Sequence, residues 1–211
     1  MLRPLLRATY QLAVVGAVLL AVGLGAGLLL VGRHGDGPIR GVDQHVWHWF
    51  VEHRYLVALA KFIGTYLDAA PLGVICLVLT AILVLTLRTP AALALLAGYL
   101  GGEGLVFVIR TVIHRSRPIS ADYPARYALP GVHEVGWSFP SGHATGVTAA
   151  LVAALGAFAL SRRLVWPWVV AAVAGAYVAC SRLDLGVHWF SDVTVGFVLG
   201  AAWGVAVALV A

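Results

Sequence analysis

The sequence predicts an all-α, polytopic membrane protein with six transmembrane helices. Three observations carry that prediction. Of the 211 residues, 61% are hydrophobic and only 11% are charged, and the mean hydropathy is +0.93, which leaves too little polar side chain to cover a soluble domain. Apolar runs approaching the roughly 20 helical residues needed to cross a hydrocarbon core recur six times with short breaks. The fourteen Lys and Arg residues, against nine Asp and Glu, lie mainly in those breaks. That distribution favours anionic lipid or lipid phosphate as partner and gives no reason to expect nucleic acid.

The first span covers 11–31. Arg3 and Arg7 precede it, but it is longer than a signal-peptide core and lacks a small-residue cleavage site, so it reads as retained. Residues 43–50 follow, with Trp47, Trp49 and Phe50 beside His45 and His48. This mixture suits a helix lying in the headgroup layer, a substrate gate being the alternative. His45, His48 and His53 lack the cysteine or carboxylate pattern of a metal site, and no metal or cofactor is expected. Spans 69–87 and 91–109 flank Arg88, and spans 143–160 and 165–180 flank Arg162 and Arg163. The last span is 190–210. Cys76 and Cys180 have neither metal-site nor disulfide spacing. One membrane-embedded domain, 1–211, is expected.

With both termini cytoplasmic, Arg3, Arg7, Arg88, Arg162 and Arg163 fall inside, in short segments free of Asp and Glu. The other nine basic residues fall outside, a departure from the positive-inside pattern that gives several outer arginines another task. Three outer segments supply it. Arg110 and Arg117 are seven positions apart, close to two helical turns, so both project from one helix face and can grip one anion. Pro140-Ser141-Gly142-His143 leads into a span, with Ser141 as an N-cap, Gly142 for close ligand approach, free N–H groups for an anion, and His143 as acid or base. Ser181-Arg182-x5-His188-x3-Asp192 sets a carboxylate one helical turn from a histidine, where it fixes the tautomer, with Arg182 a further phosphate ligand. Taken singly, these segments also fit a headgroup anchor, a capping turn and a structural ion pair.

In that order, Arg110-x6-Arg117-Pro118, Pro140-Ser141-Gly142-His143 and Ser181-Arg182-x5-His188-x3-Asp192 resemble the tripartite signature of the type 2 phosphatidic acid phosphatase superfamily. The resemblance spans 110–192, and the six-span layout is similar to the family's membrane branch. Arg110 stands where lysine is common in that family, which keeps the charge and adds donors. The resemblance implies a phosphatase in which His188 attacks phosphorus and becomes a phosphohistidine. Asp192 orients it, and His143 protonates the leaving oxygen and later helps activate water. Arg110, Arg117 and Arg182, with Ser141 and the Gly142 amide, surround the phosphoryl oxygens, so that no metal ion is required.

Glu103 lies within the third span, seven residues before Arg110 and on the same helical phase, where it either orients Arg110 or bonds a neighbouring span. Arg115, Arg126 and His114 are expected to touch only headgroups. A site at the outer surface between spans admits a phosphate whose lipid tail stays in the bilayer. The resemblance offers polyprenyl diphosphate, phosphatidylglycerol phosphate, phosphatidate and lipid A phosphates as substrates. Richness in Ala, Val, Gly and Arg, with Lys61 the single lysine, suggests a GC-rich bacterial gene and puts an undecaprenyl-type carrier diphosphate first. The soluble vanadium haloperoxidases resemble the same signature, but six membrane-length runs disfavour them. A non-catalytic lipid-binding or transport protein is the alternative of another class.

Overall fold

The structure, a computed structural model, describes residues 2–86, 88–121, 127–132 and 134–211. Its described residues form helices and connecting turns without strands. They are α1 (Leu2–Ala26), continued by a π-helical stretch Gly27–Val31, then α2 (Arg40–Glu52), α3 (Val57–Tyr66), α4 (Ala69–Leu85), α5 (Thr89–Arg110), α6 (Pro118–Ala121), α7 (Gly142–Arg162), α8 (Trp166–Asp184) and α9 (Phe190–Val210). Five are long and apolar enough to cross a membrane: the run Leu6–Val31, α5, α7, α8 and α9. α3 and α4 meet at a 70° bend and together make a sixth candidate span. Apolar side chains such as Val14, Val18 and Val22 of α1 are exposed, as a lipid-facing surface requires.

The predicted spans survive with shifted ends. α9 has the predicted limits, α1 begins well before residue 11, and α8 runs a turn past Cys180 to take in Arg182 and Asp184. The second span is corrected most. α4 alone has 17 residues, about 26 Å at 1.5 Å per residue, and α3 approaches it at an angle. Pro71 in the first turn of α4 accounts for the break, because its ring would clash with the carbonyl of Leu67 in a continuous helix.

α7 is the central helix, packed between α5 and α9 on small residues. A Cβ on Gly98 of α5 would lie 2.7 Å from the Ala149 carbonyl oxygen, and one on Gly200 of α9 would lie 2.4 Å from that of Thr145. Such spacing lets helix backbones approach closely in lipid. This packing brings the C-terminal ends of α5 and α8 and the N-terminal ends of α7 and α9 to one end of the molecule. The segments between α5 and α7 cover that end together with α2.

α2 corrects the expectation of a helix merely lying among headgroups. Trp49 is exposed, but the opposite face points inward: Asp43 and Trp47 are fully buried, and Trp47 Nε1 donates to the Gly186 carbonyl at 2.9 Å. His53 stacks on Trp49, and His48 meets Tyr127 edge-on.

Candidate active site

The turn between α8 and α9 builds the centre. Gly186 ends α8 with a positive φ of 72°, a conformation that glycine adopts without strain. His188 follows, and Asp192 lies in the first turn of α9. One Asp192 oxygen, Oδ2, accepts from the Trp189 backbone N–H at 2.9 Å, which caps α9. The same oxygen meets His188 Nδ1 at 3.3 Å and accepts a short bond from Ser138 Oγ. A carboxylate accepts only, so Nδ1 carries the proton and the lone pair sits on Nε2. That Nε2 faces Arg117 Nη1 at 3.0 Å. Burial, then the Arg117 charge, pushes the His188 pKa well below the ordinary histidine value, against the opposing pull of Asp192.

Behind Asp192 runs a buried chain of charges. Arg115 donates to Asp192 Oδ1 at 2.7 Å from Nη1 and to Asp43 Oδ2 at 2.6 Å from Nη2. Asp43 also accepts from the backbone N–H and the hydroxyl of Ser191, both at 2.7 Å. The Arg115 guanidinium lies over the Trp189 ring, 5.2 Å from its centroid. Arg115 therefore does not serve as a headgroup contact: it is buried, and its fork joins α2 to the start of α9. Arg126, assigned with it to the headgroups, lies outside the described residues. His114 does lie at the surface, stacked on Trp137.

The phosphate-binding candidates gather around this centre. α5 ends at Arg110, so Arg110 and Arg117 do not share a helix face as their spacing suggested. The chain turns beyond Arg110 to bury Ile113 with Val31 and Phe139, then runs without helix to Arg117, in keeping with the bias against helix before Pro118. Arg110 Nε donates to the Pro140 carbonyl at 3.2 Å, and its guanidinium faces Gly142. Ser141 caps α7, accepting from the Ala144 N–H at 3.5 Å, while its own N–H bonds the Asp192 carbonyl at 3.0 Å. The first turns of α7 and α9 are thus fastened together, with the α7 N-terminus and its positive dipole end at the site. Arg182, fully buried in the last turn of α8, pairs closely with Glu134. Glu134 also lies 3.4 Å from Arg117 Nη2. Burial pulls the Arg117 pKa down, and Glu134 pulls it back up.

α3 supplies a wall that the sequence did not disclose. A Cβ on Gly64 would lie only 2.6 Å from Arg182 Nη1, and His143 Nε2 lies 3.2 Å from the Gly64 carbonyl oxygen. His143 Nδ1 is 3.8 Å from Asp68. Glu103 sits deeper on α5 against Gly146 of α7 and shares with Arg110 a lateral groove of about 460 Å³ that also reaches Phe107, His114 and Trp137. A second groove, about 540 Å³, reaches Arg117 and Glu134 past Leu129, Val132 and Val187. All eight candidate site residues thus stand at one end of the bundle. Asp43 and Gly64 join them from distant parts of the chain, and Arg115, Glu134 and Ser138 from positions beside the motifs.

Fold and site define a membrane-embedded helical protein with a buried cationic centre around a histidine–carboxylate pair. The chain belongs to the PAP2 superfamily, whose profile matches residues 91–211. It is 38% identical over 108 residues to decaprenylphosphoryl-5-phosphoribose phosphatase of Mycobacterium tuberculosis, covering 51% of this chain and 54% of that protein. It is 30% identical over 123 residues to undecaprenyl-diphosphatase of Sulfolobus acidocaldarius, covering 58% and 56% respectively. The matched region spans about half the length of these curated relatives. The fold is similar to that of the crystal structure of a transmembrane PAP2-type phosphatidylglycerolphosphate phosphatase from Bacillus subtilis, with a TM-score of 0.70, 24% identity, and coverage of 95% of this chain and 94% of that one.

Proposed function

We propose that this protein is an integral membrane phosphatase that hydrolyses a lipid phosphate or diphosphate through a phosphohistidine on His188. The observation that carries this reading is the histidine with its Nδ1 turned to Asp192 and its Nε2 turned to Arg117. In the first step Nε2 attacks phosphorus in line, the N–P bond forms and the bond to the leaving oxygen breaks. His143 gives that oxygen a proton. Water then attacks the phosphohistidine, His143 takes its proton, and the P–N bond breaks to release phosphate. Arg110, Arg117 and Arg182, with Ser141 and the Gly142 amide, stabilise the charge on the transferring group. The three guanidinium groups make a divalent metal unnecessary. Glu103 borders the groove at Arg110 and lies against Gly146 of the neighbouring helix.

The groove beside Arg117 is lined largely by apolar side chains, among them Ile119, Leu129, Val132 and Val187, which suits a substrate whose tail remains in lipid. An undecaprenyl-type carrier diphosphate is the first candidate, supported by relatives named for decaprenyl- and undecaprenyl-linked substrates. Phosphatidylglycerol phosphate is the second, on the likeness of the fold. We place both termini in the cytoplasm of a bacterial cell and the site at the outer face, on the distribution of arginines. The test is phosphate release by the purified protein from a panel of these lipids, with and without EDTA. Release persists in EDTA and is lost in His188→Ala. A need for added metal, or a His188→Ala variant as active as wild type, contradicts the mechanism.

A further inference from the structure

We propose that Glu134 is a built-in competitor for the phosphate, its carboxylate occupying the place between Arg117 and Arg182 that phosphoryl oxygens take when substrate binds. The inference rests on the reading of these two arginines as phosphate ligands. Glu134 pairs with both at once, closely with Arg182 Nη2 and at 3.4 Å with Arg117 Nη2. Its two oxygens bridge two buried guanidinium groups much as two oxygens of one phosphate would. The match is incomplete on the arginine side: Arg182 Nε and Nη1 are buried and have no hydrogen-bond partner among the described residues. A buried donor left unpaired is costly, and a tetrahedral anion with more oxygens can satisfy what a planar carboxylate cannot.

The structure holds the site in a resting arrangement with Glu134 in place. Arg117 is also bound to the backbone: Nε donates to Gly136 O at 3.2 Å, Nη2 to Val135 O at 3.3 Å, and Nη1 to Val187 O at 3.0 Å. Nη1 also lies 3.0 Å from His188 Nε2, so the nucleophilic lone pair points at a cation and not at phosphorus. A phosphate entering beside Glu134 would set two anions in contact in a place largely closed to water, which is unfavourable. The carboxylate therefore leaves as the phosphate arrives. It has room to do so, since it lines the 540 Å³ groove, and Val135 next to it is 88% exposed. Its departure removes one anionic partner from Arg117 Nη2 and one from Arg182 Nη2, leaving both positions to the phosphate. After hydrolysis the carboxylate returns and helps expel inorganic phosphate.

The test measures binding of inorganic phosphate to the full chain in detergent, by calorimetry, for wild type, Glu134→Gln and Glu134→Ala. Both variants bind phosphate about tenfold more tightly than wild type, the scale of one charge-assisted bond no longer contested. Unchanged or weaker binding in both overturns the proposal. A fluorophore on Val135→Cys, in a Cys180→Ala background, reads the displacement itself. Its signal shifts on adding phosphate when Glu134 is present and is already shifted in Glu134→Gln; a probe indifferent to phosphate also overturns it. If no lipid yields phosphate, the functional reading falls, and these binding comparisons still decide the role of Glu134.

Discussion

Four donors converge on Asp192: Arg115, Ser138, His188 and the Trp189 backbone. The spacing of His188 and Asp192 made their pairing legible, because four residues at a helix start place the two side chains together. Arg115 was not legible. It is one of three arginines between residues 110 and 117, and its partner Asp43 lies 72 positions upstream, so nothing local distinguishes it from a surface arginine. Arg115→Lys tests its part in the site. A single ammonium cannot bridge Asp43 and Asp192 as the guanidinium fork does. We expect kcat to fall about 10- to 100-fold, the usual effect of losing an orienting partner, with KM little changed because Arg115 touches no phosphate. A raised KM at unchanged kcat would place Arg115 among the phosphate ligands instead.

The same scale fixes a pH dependence. His188 must be neutral to attack, and its pKa is depressed, first by burial and then by Arg117. The acid limb of kcat/KM assigned to it therefore lies below pH 6.5, and activity does not halve near that value on its account. For stability the sign follows from proton binding: below about pH 6.5 the unfolded chain takes up a proton at this histidine that the folded chain refuses. Folding stability thus falls as pH is lowered through that region. His188→Asn should flatten the fall in a thermal denaturation series, and an unaltered slope would mean that His188 is not the group responsible.

Among the elements, the long helices were readable as apolar runs because a bilayer demands about the same length of each. α3 was not. It is ten residues long, carries Lys61, and is bent away from α4, so no single apolar run betrays it. Its glycine nevertheless touches both Arg182 and His143. A methyl at Gly64→Ala falls 2.6 Å from Arg182 Nη1, and the guanidinium must shift. We expect KM to rise about tenfold, equivalent to about 1.4 kcal/mol, with the thermal midpoint nearly unchanged because the clash is with the end of a flexible side chain. A fall in kcat alone would count against Arg182 as a phosphate ligand.

Across the whole molecule, packing on glycines brings four helix ends together, and the site inherits its position from that packing. That the three motifs meet in one site was legible in their order and spacing. Which groups close around it was not: Asp43 and Gly64 arrive through the folded topology, and Glu134 and Ser138, though just upstream of Ser141, fall in no helical or motif pattern that marks them. Sidedness belongs to this scale. Val135 at the site end and Val165 at the opposite end are both well exposed. A cysteine at Val135 should react with an impermeant thiol reagent from outside intact cells, and one at Val165 only after permeabilisation. The reverse pattern would invert the topology and place hydrolysis in the cytoplasm.

The central claim is that His188 carries the phosphoryl group. Rapid quenching of the purified protein with a lipid diphosphate labelled on its terminal phosphate tests it most directly. The account predicts an acid-labile, alkali-stable phosphoryl group on the peptide containing His188, formed and consumed at rates matching turnover and missing from His188→Ala. Turnover without any such adduct, or an adduct on another residue, would contradict it.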